Sequence, residues 1–293
     1  MRVTQNMINN TLLTNMQASQ QRVALLEQQS SSQLKVSAPG DDPVAAQQIL
    51  SLQSQNSAIA QYSKNNATAT SLLSMSDSAM SGINDALSTT YQLALSMSNS
   101  TNNSSSMSAA ADQLKQLKSQ VISLGNTNIN GTFVFGGFKN DAPPFDSTTG
   151  AFTGTSDDVK LQIGQNSSQT VNYSGAALFG TSGGADIMGI FDNLATALNA
   201  GDNSGVQAQL DNLTSAMSQV NSARSVVGAS LNALSNATSQ GSTQTLAITT
   251  QLSKTQDADY LQVVSSLTQQ QTAYQTTLAA TAQISKISLL NYL

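Results

Sequence analysis

Residues 37–43 read Ser-Ala-Pro-Gly-Asp-Asp-Pro, and the fold turns on what lies to either side of them. Pro39 and Pro43 each lack a backbone donor and push the preceding residue out of helical geometry, and Gly40 adds a third breaker. The same stretch also starts a helix. Asp42 is placed to cap it, with Pro43 at the first helical position, where no N–H is required. Upstream, Ile8, Leu12, Met16, Val23 and Leu26 follow steps of four, four, seven and three, which predicts one helical stripe with a polar gap around Ser19. Downstream runs a long helical tract holding Ile49, Leu52, Ile59, Met80, Ile83, Leu87 and Tyr91, with Gly82 inside it. The polar stretch 98–106 interrupts the pattern. It resumes at Leu114, Leu117, Val121 and Leu124, and Gly125 is read as the stop.

From about residue 130 the character changes. Asn130-Gly131 is a turn signal followed by the strand-like Thr132-Phe133-Val134-Phe135. Residues 159–163 and 170–173 alternate as half-buried strands do. Helix returns at Ile187, Ile190, Phe191, Leu194 and Leu198, and a last long tract runs from Val206 to Leu252. Beyond Asp257 comes a heptad-like series, Tyr260, Val264, Leu267, Gln271, Tyr274 and Leu278, continued after a phase shift by Ile284, Ile287 and Leu290. The expected fold is mainly α with a small β-rich insertion, a long-helix bundle flanked by N- and C-terminal coiled-coil-like helices. The expected domains are nested: residues 1–41 with 256–293 as terminal helices, 42–130 with 185–255 as the bundle, and 131–184 as an outer β-rich insertion. Neither terminal helix can bury its stripe alone, so the two are expected to pair with each other or with other chains.

Composition narrows the function. The 293 residues suggest about two domains. Only 9% are charged, against roughly 25% in an ordinary soluble protein. Cys, His and Trp are absent, which removes thiolate nucleophiles, imidazole bases, disulfides and Cys/His zinc sites. A net charge of −5 argues against nucleic acid or anionic membrane as a partner. The longest apolar runs, such as Val23-Ala24-Leu25-Leu26, fall far short of a bilayer span, and residues 1–7 lack the apolar core of a secretory signal.

No catalytic constellation assembles. Asp41-Asp42 reads as a turn and a cap, Asp157-Asp158 as a polar loop. Gly180-Thr181-Ser182-Gly183-Gly184 lacks the Lys-Ser/Thr of a phosphate loop and reads as a flexible boundary. Calcium at Asp141, Asp146, Asp157 and Asp158 has no twelve-residue loop pattern behind it. No catalytic residue, metal or cofactor is therefore expected, and the chain reads as a non-enzyme.

Several segments carry a resemblance. Leu25-Leu26-Glu27-Gln28-Gln29-Ser30-Ser31-Ser32 and Val36-Ser37-Ala38-Pro39-Gly40-Asp41-Asp42-Pro43-Val44-Ala45 resemble the N-terminal signature of bacterial flagellins and their relatives. Asp257-Ala258-Asp259-Tyr260 is similar to the start of that family's terminal helix. Gly131-Thr132-Phe133-Val134-Phe135-Gly136-Gly137, Asp141-Ala142-Pro143-Pro144-Phe145 and the ending Lys286-Ile287-Ser288-Leu289-Leu290-Asn291-Tyr292-Leu293 resemble the branch found where hook meets filament. There are departures: Gln33-Leu34-Lys35 stands where the family often has Gly and basic residues, and Gly40 where Ser is usual.

The resemblance implies a structural adaptor of the flagellum, secreted without a cleaved signal through type III export, with terminal segments disordered in the monomer. It implies four partners: a hook-associated junction protein, flagellin, identical neighbouring subunits and a flagellar export chaperone. Flagellin itself is the alternative reading. The expected assembly interface is Ile8, Leu12, Met16, Val23 and Leu26 with Tyr260, Val264, Leu267, Tyr274, Leu278, Ile284, Ile287 and Leu290. Pro39, Asp41, Asp42 and Pro43 form the expected domain connector.

Overall fold

The computed structural model describes the backbone of residues 5–99 and 103–290, and the side chains of 7, 10–99 and 103–283. The chain is mainly helical, with a small β-rich insertion. Its helices are α1 (Gln5–Ser32), α2 (Pro43–Met97), α3 (Ser104–Gly125), α4 (Gly175–Phe179), α5 (Ile187–Ala200), α6 (Asn203–Gln256) and α7 (Tyr260–Leu290). The strands are β1 (Asn128–Ile129), β2 (Thr132–Phe133), β3 (Lys160–Gly164) and β4 (Ser167–Thr170). Two antiparallel two-stranded ladders result, β1 with β2 and β3 with β4.

Helix limits follow local chemistry. Asp42 Oδ1 accepts from the amides of Val44 and Ala45, both at 3.0 Å, at the start of α2. Asn103 caps α3 through the Ser106 amide at 2.8 Å, so the polar stretch 98–106 begins just after the end of α2 and contains the start of α3. Asp186 caps α5, which ends on left-handed Gly201.

The chain divides into two compact units. One holds residues 58–243, the other residues 1–57 with 244–293, so the division falls inside α2 and α6. The β-rich segment 131–184 lies within the first of these.

Residues 58–243 contain all twelve of the largest fully buried side chains, including Leu73, Met80, Ile83, Leu87, Leu114, Phe135, Phe145, Phe179 and Phe191. Phe145 stacks at a tilt on Phe179 with ring centroids 4.3 Å apart, and on Phe152 at 5.2 Å. Gly125 was expected to lie just past the end of α3. It is instead the last residue of the helix, and its missing side chain makes room for two rings: a Cβ there would lie 2.8 Å from Phe145 and 3.1 Å from Phe179. Beside it Asn126 brackets the backbone of Phe145, donating to its carbonyl at 2.8 Å and accepting from its amide at 2.9 Å. Gly82 stays inside α2, where the Leu124 side chain approaches it. The strand predictions were too long at 132–135, where only Thr132 and Phe133 pair. They were displaced at 170–173, because β4 ends at Thr170. Phe135 turns into the aromatic core instead of continuing a ladder.

The glycines at 180–184 form a fastened turn inside this unit. Gln219 of α6 accepts from the Ala185 amide at 2.9 Å and donates to the carbonyls of Leu178 at 2.8 Å and Ala185 at 3.2 Å. Asp146 gathers the amides of Thr148 and Thr149 and the Thr149 hydroxyl into a turn of its own.

Candidate assembly surface of the terminal helices

In residues 1–57 and 244–293, α1 and α7 pack against each other in antiparallel sense. On α1 the half-buried positions are Gln29 and a series through Leu12, Met16, Ser19, Val23, Leu26 and Ser30. The steps are four, three, four, three and four, the repeat of a coiled-coil seam. On α7 the same repeat runs through Val263, Leu267, Gln270, Tyr274, Thr277 and Thr281, with Val263 buried and the rest half-buried.

The gap read at Ser19 is therefore a seam position: Gln270 Nε2 donates to Ser19 Oγ at 2.9 Å. At the edge, Gln271 Nε2 reaches Glu27 at 3.4 Å. The hydroxyls of Thr277 and Thr281 turn back to the carbonyls of Ala273 and Thr277, at 2.8 and 2.7 Å. All five threonines of α7 donate in this way to the carbonyl four residues earlier.

Of the residues expected to form the interface, Leu12, Met16, Val23, Leu26, Leu267 and Tyr274 lie on this seam, and Val264 is half-buried beside it. Tyr260 is 52% exposed and Leu278 40% exposed. The side chains of Ile8, Ile284, Ile287 and Leu290 lie outside the described ones. Ser19, Val263, Gln270, Thr277 and Thr281 were not read as seam residues. The three-four spacing carried through polar residues would have found them.

Little of this unit is fully covered. Among the described residues its buried apolar side chains are Val36, Ile49, Ile248 and Val263. Nine of the twelve large apolar residues exposed among the described ones belong to it, among them Leu13, Leu25, Leu50, Leu246 and Leu261.

The connectors after α1 and before α7 are tied together. Lys35 N donates to Gln256 O at 2.7 Å and Ala258 N to Gln33 O at 2.9 Å, and Leu34 pairs antiparallel with Asp257. Gln33 has φ +60, a left-handed conformation that glycine adopts without cost, at the position where the resemblance implied Gly. Asp41 Oδ2 accepts from the amides of Ala38 and Ser37, both at 2.9 Å, and from the Ser37 hydroxyl at 3.1 Å; those bonds, Ala38's first, lower its pKa. Ser37 Oγ in turn accepts from Gln28 of α1 at 2.9 Å. Asp41 holds the turn and Asp42 caps α2, so the Asp pair is accounted for by backbone geometry. Pro43 opens the helix and Pro39 stands in the exposed turn between. Among the described residues no group of three or more acidic or other ligating side chains gathers to hold a metal, and no helix is long and apolar enough to cross a membrane.

Helical ends around an independently packed middle define the class, and sequence comparison agrees. The bacterial flagellin N-terminal helical region matches residues 3–140, and the flagellin C-terminal helical region matches residues 210–293. The chain belongs to the bacterial flagellin family. Among individual relatives, the flagellar hook-associated protein 3 of Escherichia coli is 27% identical over 94% of both chains. That of Salmonella typhimurium is 28% identical over 94% of both. A flagellar hook-associated protein from Vibrio parahaemolyticus shares the fold at a TM-score of 0.68 and 22% identity, covering 74% of this chain and all of that one. FlgL of Bacillus cereus does so at 0.61 and 20%, covering 69% of this chain and 99% of its own.

Proposed function

We propose that the chain is a non-enzymatic structural adaptor of the bacterial flagellum, joining the hook, through a second hook-associated junction protein, to the flagellin filament. The observation that carries this reading is the match to two hook-associated proteins 3 over nearly the full length of both partners. The sparsely covered terminal helices supply a physical route. Ordering a residue costs about 1–2 kcal/mol, and an apolar surface completed only by neighbours returns that cost only in the assembly. Residues 1–41 and 256–293 accordingly stay unfolded in the free subunit and pair when it joins identical neighbours, which prevents premature polymerisation. The subunit reaches that site through the flagellar export channel without a cleaved signal, accompanied by an export chaperone.

Deletion of residues 256–293 tests the reading. The truncated chain should stay soluble with a folded middle but fail to enter flagella, and electron microscopy should show hooks without filaments. Normal filaments on such cells would overturn it. Long filaments grown from the purified chain alone would favour a main filament subunit instead.

A further inference from the structure

We infer that Ser19 and Gln270 set the register in which α1 lies against α7, a role that rests on the pairing of the terminal helices proposed above. Most of the described seam can be slid by a heptad with little chemical penalty. Leu12, Met16, Val23 and Leu26 offer apolar surface in any register, as do Val263 and Leu267. Thr277 and Thr281 make their hydrogen bonds inside α7 and ask nothing of α1.

Gln270 differs, because its amide reaches across the seam to Ser19 at 2.9 Å. The residues seven positions away from Ser19 are Leu12 and Leu26. A slip of one heptad in either direction therefore sets the Gln270 amide against a leucine and leaves the Ser19 hydroxyl without it. Losing that bond at a half-buried position, and setting the amide against a leucine, disfavours the slipped pairing by up to about tenfold. The second bond between the two helices, Gln271 to Glu27, is longer and exposed, and cannot impose the same discrimination.

The absence of cysteine makes the register directly readable, since any engineered pair supplies the only thiols. Two fixed points, Leu34 opposite Asp257 and Ser19 beside Gln270, bring position 23 opposite position 267. Three full-length double-cysteine chains carry Val23→Cys with Leu267→Cys for the native register, or with Tyr260→Cys or Tyr274→Cys for the slipped ones. Each is oxidised in flagella isolated from cells lacking the native copy, and as purified protein.

In flagella, where the terminal helices are paired, the native pair should cross-link up to about tenfold better than either slipped pair. Ser19→Leu with Gln270→Leu should reduce that preference to near unity. The exchanged pair Ser19→Gln with Gln270→Ser should retain it, a rescue that a loss of general packing would not produce. In flagella that contain the chain, equal cross-linking in all three registers of the otherwise unaltered chain, no cross-linking in any of them, or an undiminished preference in the double leucine variant would each overturn the inference. Failure of the adaptor reading shows separately, as absence of the chain from isolated flagella, and the purified protein then carries the register test.

Discussion

Gln33 occupies a conformation in which an L side chain crowds its own backbone, at a cost of about 1–2 kcal/mol. The surrounding bonds hold it there: its amide closes α1 on Gln29 O, and its carbonyl accepts from Ala258. Gln33→Gly should relieve the strain, less the larger unfolded-state entropy of glycine, for a net gain of about 0.5–1 kcal/mol. In assembled flagella, where these segments are folded, slower hydrogen exchange at the Ala258 amide would report it; Gln33→Val should speed that exchange. Gly125 presents the opposite case. Alanine is the better helix former by about 1 kcal/mol, but its methyl would strike Phe145, which is fully buried and cannot yield. Gly125→Ala should therefore destabilise residues 58–243 by about 1–2 kcal/mol net in urea unfolding. Asp41 gives a pH dependence of known sign. Its pKa is lowered from 3.8, so the turn it holds is intact above that value and loosens as pH falls through the depressed one. In the assembled state, where residues 1–41 are folded, amide shifts of Ser37 and Ala38 should follow that titration, and Asp41→Asn should abolish it.

At the scale of elements, α7 shows how far pattern reading goes. Its apolar residues trace one stripe through Tyr260, Val264, Leu267 and Leu278, yet the residues covered by α1 follow Val263, Leu267, Gln270 and Tyr274. Both stripes share Leu267 and Tyr274 and diverge by one residue elsewhere. Hydropathy ranks Leu278 above Thr277 and cannot see that a threonine bonded to its own helix packs as a methyl group, or that Gln270 finds a partner on α1. Helix limits set by local chemistry, such as Asp42 before Pro43, were legible because cap and helix are neighbours in sequence. The grip of Gln219 on the turn after α4 joins residues more than thirty positions apart, and no local signal announces it. Gln219→Ala leaves the Leu178 carbonyl and both polar groups of Ala185 short of a partner. It should lower stability by about 1–3 kcal/mol, measured by the urea midpoint. Gln219→Glu should lose the two donated bonds and not recover it.

For the whole molecule, the contrast lies between a unit with a closed aromatic core and one assembled from helix surfaces. The fragment 58–243 retains all of the largest buried side chains. It should fold alone and unfold in a single urea transition at the midpoint of the full-length chain's main transition; loss of cooperativity in the fragment would show that the ends contribute to that core. The run of long helices interrupted by a small β-rich insertion was readable from periodicity and breakers. The placement of the division inside α2 and α6 was not, because a helix crossing from one unit to the next carries no break in sequence.

The threonines of α7 have a consequence of their own. A hydroxyl whose proton is already committed to the preceding turn behaves as two surfaces in one. Its oxygen still accepts from water, which keeps the exposed helix wettable, while its methyl can be overlaid by an apolar neighbour without orphaning a donor. The face can thus pass from solvent to contact, and meet neighbours that are not all identically placed, with no change in its own hydrogen bonding.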